Sequence, residues 1–360
     1  MSARKAALIE IDGSHDECLY SQLLFLKKGN YHTTLICSEN LRARVKDFDA
    51  ADENIFFDFE NTSEWQRLKL IWQIRKYIVS HDIDTIIFNS THGRTIRNLT
   101  LLPYPSGTRM AGTLHGINKL KGSLTQKIIS KQIGNYYLLN DYLVENLKLV
   151  PHKGLHFQSF YPIFFPKFGS EPQVSKNAHE IWIGIPGHIE YKRRDYETLV
   201  RSFAAMPQKP NYKFLLLGNG DHTHGNGTEL RSLIEELGVS EHFIFWHGYM
   251  ANDEFHARLK LCDAIMPLIH PINEDLKKYL NDQISGSYNL AFAYKKPLLM
   301  HRYFEKYADF QENALFYDMD NMGTVLAQFP ILTEQQKGHF YQNPKWSLEY
   351  QAEKYLSLLQ

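Results

Sequence analysis

Short apolar segments alternate with amphipathic segments along the 360 residues of this chain, and this alternation limits the possible folds more than any other feature. Apolar strands separated by segments with helical periodicity are typical of parallel sheets covered by helices on both faces. The predicted strands are residues 6–11, 32–37, 84–89, 109–115, 179–186, 212–218, 242–248, 263–268 and 297–300. The predicted helices are residues 17–28, 64–81, 124–133, 140–149, 195–206, 229–238, 253–262 and 346–359. The sequence therefore predicts an α/β protein with doubly wound sheets.

The alternation is interrupted between residues 159 and 177, where prolines, serines and Gly169 accumulate. Such a composition is typical of a boundary between domains. We therefore expect two Rossmann-like domains, residues 1–165 and 166–345, with a cleft between them. Because ligands of open α/β sheets bind outside the carboxyl ends of the strands, the site residues should lie in loops that follow strands.

The composition excludes several classes of protein. Forty Lys and Arg residues balance forty Asp and Glu residues, which argues against a general nucleic-acid binder. The three cysteines, Cys18, Cys37 and Cys262, fit neither a disulfide framework nor a zinc site, which indicates a reducing compartment. Glu10 and Asp12 interrupt the first apolar run, so no signal peptide is expected, and no apolar stretch is long enough to span a membrane. The sequence therefore predicts a cytoplasmic protein.

Three consecutive cations, Lys192, Arg193 and Arg194, lie in the loop that runs from Gly187 to a predicted helix. A helix dipole disfavours cations at the start of a helix, so local structure does not explain them. A bound anion would explain them, and a solvated basic tripeptide is the alternative.

Two further loops follow predicted strands in the second half. Gly218, Asn219 and Gly220 end a buried strand, and the glycines allow a ligand to approach the backbone closely. Many turns between strands and helices share this pattern, so it is not specific. Tyr249 follows the next strand, where its ring either stacks on a base or packs within the protein.

Ser285, Gly286 and Ser287 precede a segment that is apolar almost all round. A helix of this kind is buried, and the free N–H groups at its start need partners. Two hydroxyl groups and an unobstructed backbone suit an anion such as phosphate. The alternative is that Ser287 is simply the N-cap residue of the helix.

In the first half, Gly13 and Ser14 lie in a turn from a strand to a helix, and His115 ends a predicted strand. His115 is either a site residue or a structural histidine. Residues 85–140, here called the basic region, contain no Asp or Glu. Their cations are Arg94, Arg97, Arg109, Lys119, Lys121, Lys127 and Lys131. This excess suggests an anionic partner, such as a phospholipid headgroup, a lipid-linked diphosphate or an acidic sugar, unless neighbouring residues neutralise it.

These motifs, taken in order, resemble the donor domain of GT-B-fold glycosyltransferases, most of all the retaining family 4. The segment YKRRDYETLVRSF resembles the Lys-Gly-x-x-x-Leu-Ile-x-Ala-Phe element of that family, and FLLLGNGD resembles its Gly-x-Gly turn. SGSYNLAFAYKKPLL resembles the loop, buried helix and strand that close the donor site. The first half is similar more loosely, through TLHGINKL and DGSHDECL, which lie where the family has a site histidine and a glycine-rich loop facing the donor.

The resemblance implies an acceptor-side domain at 1–165 and a donor-binding domain at 166–345, with residues 346–360 forming a helix that crosses back to the first domain. The alignment through Phe203 places Arg194 on the lysine that binds the donor diphosphate, with Lys192 nearby. The implied catalytic residues are His115, Arg194 and Lys192. The implied donor-binding residues are Gly13, Ser14, Gly187, Gly218, Asn219, Gly220, Tyr249, Asp282, Ser285, Gly286 and Ser287.

The sequence departs from the family where two glutamates are usual, eight residues apart. Counted back from Pro297, the first falls on Asp282 and the second on Leu290. The second glutamate of the family binds the donor ribose, so this contact is either absent here or made elsewhere. The usual arginine before the lysine is also out of register, with His188 nearby instead.

The function implied is transfer of a sugar from a nucleotide-diphosphate donor to a hydroxyl acceptor, with retention of configuration and without a metal or other cofactor. The Ser-Gly-Ser loop recurs among bacterial enzymes that build surface polysaccharides. The expected partners are a nucleotide sugar, a glycan or lipid-linked acceptor and, through the basic region, the inner face of a membrane. The alternatives are a catalytically silent subunit that binds glycan or stabilises a partner, and a sugar-nucleotide epimerase of the same fold.

Overall fold

The computed structural model describes residues 4–168, 172–336 and 338–360 of the chain. The chain forms two compact units. The first comprises Met1–Pro166, Asn281–Ile284 and Lys345–Gln360, and the second comprises Lys167–Leu280 and Ser285–Pro344. The interruption predicted at residues 159–177 spans the division between the units, and residues 169–171 within it lie outside the described residues.

The first unit contains a parallel sheet, which has seven strands among the described residues. The strands are β1 (Arg4–Glu10), β2 (Tyr31–Ser38), β3 (Glu53–Phe57), β4 (Thr85–Phe88), β5 (Arg109–Leu114), β6 (Asn135–Leu139) and β7 (His156–Phe160). Their order across the sheet is β3-β2-β1-β4-β5-β6-β7, and all neighbours are parallel. The strand order reverses between β1 and β4, which is the position where doubly wound sheets bind ligands.

Helices connect these strands. They are α1 (Leu19–Lys28), α2 (Arg42–Val45), α3 (Glu64–Ser80), α4 (Gly93–Thr100), α5 (Leu124–Ile133) and α6 (Asp141–Glu145). The start of α3 is fixed by a capping box, in which the side chains of Ser63 and Gln66 each bond to the main-chain N–H of the other. At the start of α5, the Ser123 side chain accepts a hydrogen bond from the main-chain N–H of Gln126. Local sequence signals therefore determine where these two helices begin.

The second unit contains a parallel sheet of the same kind. Its strands are β8 (Ile181–Pro186), β9 (Tyr212–Asn219), β10 (Phe243–Trp246), β11 (Ala264–Ile265), β12 (Leu298–His301) and β13 (Ala314–Tyr317). Their order is β10-β9-β8-β11-β12-β13, so the switch point of this sheet lies between β8 and β11. The helices are α7 (Tyr196–Ala204), α8 (Gly227–Glu236), α9 (Asn252–Leu261), α10 (Leu276–Asn281), α11 (Gly286–Ala293), α12 (Ala308–Gln311) and α13 (Met322–Gln336). Among the described residues, none of the helices is long and apolar enough to cross a membrane.

The core of the second unit is built from alternate strand residues and one face of α7. Ile183 and Ile185 of β8 are fully buried and belong to one cluster with Phe214 of β9 and Phe203 of α7. Phe203 and Phe214 meet edge to face with ring centroids 5.1 Å apart. This packing fixes α7 against the sheet and so places the loop that precedes α7 at the carboxyl edge of the strands.

The last helix, α14 (Leu348–Ser357), packs on the first unit, as the resemblance implies. The ring of Tyr355 stacks on Tyr137 with centroids 4.1 Å apart, and its hydroxyl donates to Oε1 of Gln22 at 3.0 Å. Nζ of Lys354 lies 2.6 Å from Oδ1 of Asp141. The final helix therefore completes the core of the first unit.

The predicted fold class is confirmed, since both sheets are parallel and doubly wound. Four strands were not predicted from the sequence pattern: β3, β7 and β13, which lie at the edges of their sheets, and β6, which follows α5 after a single glycine. β3 and β7 are only partly buried, so their residues need not be uniformly apolar. Helix α13 also escaped prediction because Pro330 lies within it.

We expect Tyr355→Ala to lower the free energy of unfolding of the first unit by about 3–5 kcal/mol, because it removes a fully buried aromatic ring. Trp65→Ala is the matched control, since Trp65 is 82% exposed and its truncation should change stability by less than about 0.5 kcal/mol. Urea unfolding followed by circular dichroism measures both variants. Equal losses in the two variants would show that α14 does not contribute to the core.

Candidate functional site

A cavity of about 330 Å³ lies at the carboxyl edge of the sheet in the second unit. It is formed by the loops that follow β8 and β10, by the carboxyl ends of β8 and β9 and by residues of α9 and α11. β8 borders the switch point of the sheet, so the cavity lies where the topology favours a ligand. The lining residues are Pro186, Gly187, His188, Arg194, Leu217, Gly218, Asn219, Tyr249, Met250, Asn252, Phe255, Gly286, Ser287 and Leu290.

Two glycines allow two of these loops to approach each other closely. Gly187 has a φ of +107°, and a Cβ at this position would lie 2.6 Å from Nη2 of Arg194. A Cβ on Gly218 would lie 2.2 Å from the main-chain oxygen of Gly187. Gly187 therefore requires glycine because of its backbone conformation, and Gly218 because a Cβ would clash with the main chain of Gly187. These two glycines of the predicted site shape the wall of the cavity around Arg194.

Arg194 is buried, and the described residues provide no counter-ion for it. Its side chain is part of the cavity wall, and the residue is only 8% exposed. Its Nε is buried without a hydrogen-bond partner, and no carboxylate of the described residues forms an ion pair with its guanidinium. A buried charge is unfavourable unless an opposite charge approaches it. The cavity therefore has the electrostatic character of a site for an anion.

The next residue, Asp195, does not neutralise Arg194, because its carboxylate is already bound. It accepts a hydrogen bond from the main-chain N–H of Thr198 at 3.0 Å and caps α7. Nδ1 of His270 lies 2.9 Å from its other oxygen, and Nε2 of His270 lies 2.7 Å from the hydroxyl of Tyr317. Burial raises the pKa of Asp195, but the hydrogen bonds from His270 and Thr198 outweigh it and lower this pKa below its usual value. This buried chain of groups fixes the backbone that carries Arg194.

The Ser-Gly-Ser loop lies at the first turn of α11. Ser285 is the N-cap residue and its side chain makes no capping bond, so the alternative that Ser287 is the N-cap was wrong. A Cβ on Gly286 would meet no atom within 4 Å, so open space adjoins the start of the helix. The first N–H groups of a helix have no partner within it. Gly286 and Ser287 line the cavity, and α11 therefore presents neutral hydrogen-bond donors beside the charge of Arg194.

The helix that carries this loop is anchored by buried aromatic residues. Tyr288 is fully buried and meets Phe310 edge to face, with ring centroids 4.9 Å apart. Phe292 is 1% exposed and stacks on the same ring at 6.1 Å. The apolar residues after Ser-Gly-Ser therefore hold the start of α11 in place.

One wall of the cavity is apolar and includes Met250, Phe255 and Leu290. Leu290 faces the cavity, so the position where the resemblance implies a glutamate presents an apolar side chain. No Asp or Glu is among the described residues that line the cavity. Tyr249 lines the cavity while remaining 75% exposed, which favours contact with a ligand over core packing.

Only one of the three consecutive cations lines the cavity. Lys192 is exposed and lies 3.2 Å from Glu274, and Arg193 lies 3.9 Å from Glu190. Neither lines the cavity, whereas Arg194 does. Lys192 therefore does not join Arg194 in this cavity, and the electrostatic argument applies to Arg194 alone.

Only part of the Gly-Asn-Gly turn lines the cavity. Gly218 and Asn219 line the cavity, and Oδ1 of Asn219 accepts a hydrogen bond from the main-chain N–H of Asp221 at 2.9 Å. Gly220 does not line it, and a Cβ there would lie 2.8 Å from Nη2 of Arg231. Gly220 is therefore needed for the packing of its own turn.

Asp282 lies in the segment that groups with the first unit. Its carboxylate is 3.4 Å from Nζ of Lys121, and its main-chain oxygen accepts a hydrogen bond from the N–H of Ile117 at 2.8 Å. Asp282 is not among the residues that line the cavity of the second unit. The role in donor binding that the resemblance gives it stays a prediction.

The remaining predicted site residues lie in the first unit. Gly13 has a φ of +73°, and a Cβ there would lie 2.4 Å from Nδ2 of Asn40, while Ser14 beside it is exposed. Nε2 of His115 lies 2.7 Å from the main-chain oxygen of Asn89, and its ring stacks on His15 at 3.7 Å. Burial, together with the charge of His15, lowers the pKa of His115 to about 3. Its imidazole is therefore neutral near pH 7, and Nδ1 is the acceptor when Nε2–H donates to Asn89.

Sequence reasoning did not include His188 among the site residues. It lines the cavity directly after Gly187, and its Nδ1 is buried without a hydrogen-bond partner. Its ring lies 4.8 Å from His222 and 5.8 Å from Tyr249. Burial lowers the pKa of His188, and the positive charge of Arg194 acts in the same direction. Its place in a loop after a strand was the signal that could have identified it.

Among the described residues, no three His, Cys, Asp or Glu side chains are grouped closely enough to hold a metal ion. The polar groups around the cavity are instead hydrogen-bond donors, an imidazole, an amide and a guanidinium. That set can bind an anion directly through charge and hydrogen bonds.

Several solved structures share this fold along their whole lengths. The match with a glycosyltransferase from Rickettsia africae covers 100% of both chains, with a TM-score of 0.69 and 12% identity. HepE of Anabaena, in complex with UDP and glucose, covers 99% of both chains, with a TM-score of 0.66 and 13% identity. A UDP-GlcNAc 2-epimerase from Neisseria meningitidis, bound to UDP-GlcNAc, covers 99% of both chains, with a TM-score of 0.62 and 10% identity.

No protein-family model matches the sequence, and no curated protein matches it. At identities of 10% to 13%, similarity to solved structures shows a shared fold. The chain thus has the GT-B fold, which these glycosyltransferases and this epimerase have in common.

We expect Arg194→Ala to weaken the binding of pyrophosphate by about ten- to a hundredfold, because each charge-assisted hydrogen bond contributes about 1.5–3 kcal/mol. Lys192→Ala is the matched control, since it removes one exposed cation from the same loop and should change the affinity by less than about twofold. Isothermal titration calorimetry measures both variants. A larger loss in Lys192→Ala than in Arg194→Ala would contradict the location of the anion site.

We expect anion affinity to rise as the pH falls, because a bound anion raises the pKa of His188 and so favours its protonated form. Sulfate is a suitable probe, since its charge is constant where histidine titrates, between about pH 5 and 8. The affinity should fall by up to about tenfold per pH unit as the pH rises through the pKa of the complex. His188→Gln should have a flatter profile, and profiles of equal slope would show that His188 does not contact the anion.

Proposed function

We propose that the chain is a glycosyltransferase that moves a sugar from a nucleoside-diphosphate donor to a hydroxyl acceptor. The observation that carries this proposal is Arg194, which is buried in the wall of a cavity beside the switch point of its sheet and forms no ion pair with a described carboxylate. A diphosphate is the part of a nucleotide sugar that such a charge would bind. The fold shared with glycosyltransferases supports the same proposal.

In the proposed reaction, the bond between the anomeric carbon and the donor phosphate breaks, and negative charge develops on the departing diphosphate. Arg194 and the N–H groups at Gly286 and Ser287 would stabilise that charge, because they are already in place before the reaction. Ser287 adds a hydroxyl that lines the same cavity. These groups supply the charge stabilisation that a metal ion supplies in other transferases, so we propose that the reaction needs no metal.

We further propose that the reaction retains the configuration of the sugar, as in family 4. An inverting transferase needs a base that deprotonates the acceptor. No carboxylate is among the described residues that line the cavity, and burial lowers the pKa of His188, which makes that imidazole a weaker base. In a retaining reaction the departing phosphate can take this proton. His115, neutral and with Nδ1 as an acceptor, would position a hydroxyl of the sugar or the acceptor.

The setting that we propose is the synthesis of a bacterial surface glycan, on the basis of the Ser-Gly-Ser loop. A glycan or lipid-linked acceptor would fit this setting. The basic region supports a peripheral contact between a cytoplasmic protein and the inner face of a membrane, because cations near an anionic surface each contribute about 1 kcal/mol to binding. Arg94 and Lys119, two of these cations, are exposed.

Two other functions have specific support. Leu290 replaces the glutamate that binds the ribose in family 4, which favours a catalytically silent subunit that binds glycan or stabilises a partner. The similarity to a UDP-GlcNAc 2-epimerase favours an enzyme that changes the sugar while it is attached to the nucleotide. Both share the diphosphate site with the proposed transferase.

A thermal-shift screen with UDP, GDP, dTDP and CMP tests the site first. At least one diphosphate should raise the melting temperature, whereas CMP, with one phosphate, should have a smaller effect. Arg194→Ala should remove the shift. Equal shifts with CMP and with the diphosphates would contradict a diphosphate site.

The corresponding nucleotide sugar then separates the three functions. A transferase releases nucleoside diphosphate in proportion to glycosylated acceptor, which mass spectrometry of the products measures. An epimerase changes the sugar with no acceptor present. Binding without either reaction would show a silent subunit and would overturn the proposed transfer.

A further inference from the structure

A second cavity, of about 580 Å³, lies in the first unit. It is formed by the loop after β1, the loop between β4 and α4, and the loop between β5 and α5. β1 and β4 are the strands on either side of the switch point of this sheet. The first unit therefore has its own cavity at the position where a doubly wound sheet binds ligands.

The cavity is lined by three cations. Arg94 lies in the first turn of α4, and Lys119 and Lys121 lie in the segment between β5 and α5. Lys121 lies 3.4 Å from Asp282, whereas the side chains of Arg94 and Lys119 have no ion-pair partner among the described residues. Two of the three positive charges are thus available to a ligand.

Among the described residues that line this cavity, Asp12 carries the one carboxylate. It lies 3.1 Å from Nδ1 of His92, so its charge is directed at a histidine of the same cavity. The cavity is therefore positive overall at neutral pH. A positive concave surface raises the local concentration of anions.

The backbone of the two loops opens the cavity to a ligand. Gly93 has a φ of +84° and Gly122 a φ of +129°, conformations that favour glycine. A Cβ at either position would meet no atom within 4 Å, so the space beside both glycines is open. Gly93 begins α4 and Gly122 lies just before α5, so main-chain N–H groups of both loops lie close to the cations.

We propose that this cavity binds a phosphate group carried by the acceptor, a refinement that rests on the proposed transferase function. A doubly charged phosphate suits the site because Arg94 can contact two of its oxygens while Lys119 contacts a third. The volume lies within the range of small-molecule sites and exceeds what a phosphate alone needs. The rest of the acceptor, a sugar, fits beside the phosphate. The phosphate belongs either to a soluble sugar phosphate or to a phosphorylated lipid.

The test compares two charge-matched double variants of the full chain. Arg94→Ala with Lys119→Ala removes the two free cations of the cavity. Lys69→Ala with Lys76→Ala removes two exposed cations of α3 that do not line it. All four side chains are exposed, so both variants should keep the melting temperature of the wild type.

The first probe is a hexose 6-phosphate, with the unphosphorylated hexose as its control, measured by isothermal titration calorimetry. The wild type should bind the phosphate, the Arg94 and Lys119 variant at least about tenfold more weakly, and the α3 variant within about twofold of the wild type. Repeating the measurement with Arg194→Ala separates this site from that of the second unit. If the binding survives Arg194→Ala while the wild type transfers sugar to no acceptor, the phosphate site stands and the proposed function fails.

The second probe is a vesicle of phosphatidylcholine with or without phosphatidic acid, measured by co-sedimentation. Binding to the acidic vesicle that is lost in the Arg94 and Lys119 variant and kept in the α3 variant would identify a phosphorylated lipid as the source. If the Arg94 and Lys119 variant and the α3 variant lose vesicle binding equally, the binding reflects general attraction to an anionic surface, and a phosphorylated lipid is not the ligand of this cavity. If neither probe binds, or if hexose phosphate binds equally to the wild type and the Arg94 and Lys119 variant, the cavity is not a phosphate site.

Discussion

The cavity of the second unit depends on one enclosed cation, Arg194, whose Nε is buried without a hydrogen-bond partner. A charge enclosed without an opposite charge is unfavourable, so the surrounding residues must hold it in place. The backbone next to Arg194 is fixed because Asp195 caps α7 and is bound by His270. Glycine at 187 leaves the space that the guanidinium occupies. The free protein thus contains an enclosed charge that an anionic ligand would compensate, which is the physical basis of the proposed diphosphate site.

The two units use the same topology with different electrostatics. In both, the cavity lies beside the reversal of the strand order, because the loops on either side of that reversal diverge. The second unit buries one cation in a smaller cavity with an apolar wall. The first unit surrounds a larger cavity with exposed cations. Salt screens exposed charges more than buried ones, so binding in the first unit should depend more strongly on ionic strength.

The sequence predicted elements well where the pattern of burial was regular. Strands buried on both faces are uniformly apolar, and the predicted limits of α5 agree with the structure at both ends, because a cap and a glycine define them. β3 is half-buried at the edge of its sheet, and its composition carries no clear signal. β6 was missed for another reason: only Gly134 separates it from α5, so the sequence shows no loop between the two elements.

By itself, the sequence determined the α/β class, and it indicated the interruption at residues 159–177 and the loops that the structure places around the cavity of the second unit. These depend on periodicity and on local turn chemistry, which are properties of neighbouring residues. Only the tertiary structure decided which member of the Lys192-Arg193-Arg194 run enters the cavity and that His188 lies beside it. It also decided that Lys119 and Arg94, which are distant in sequence, line one cavity. The physical reason is that burial and ion pairing depend on residues brought together from separate strands, and a linear pattern does not encode those distances.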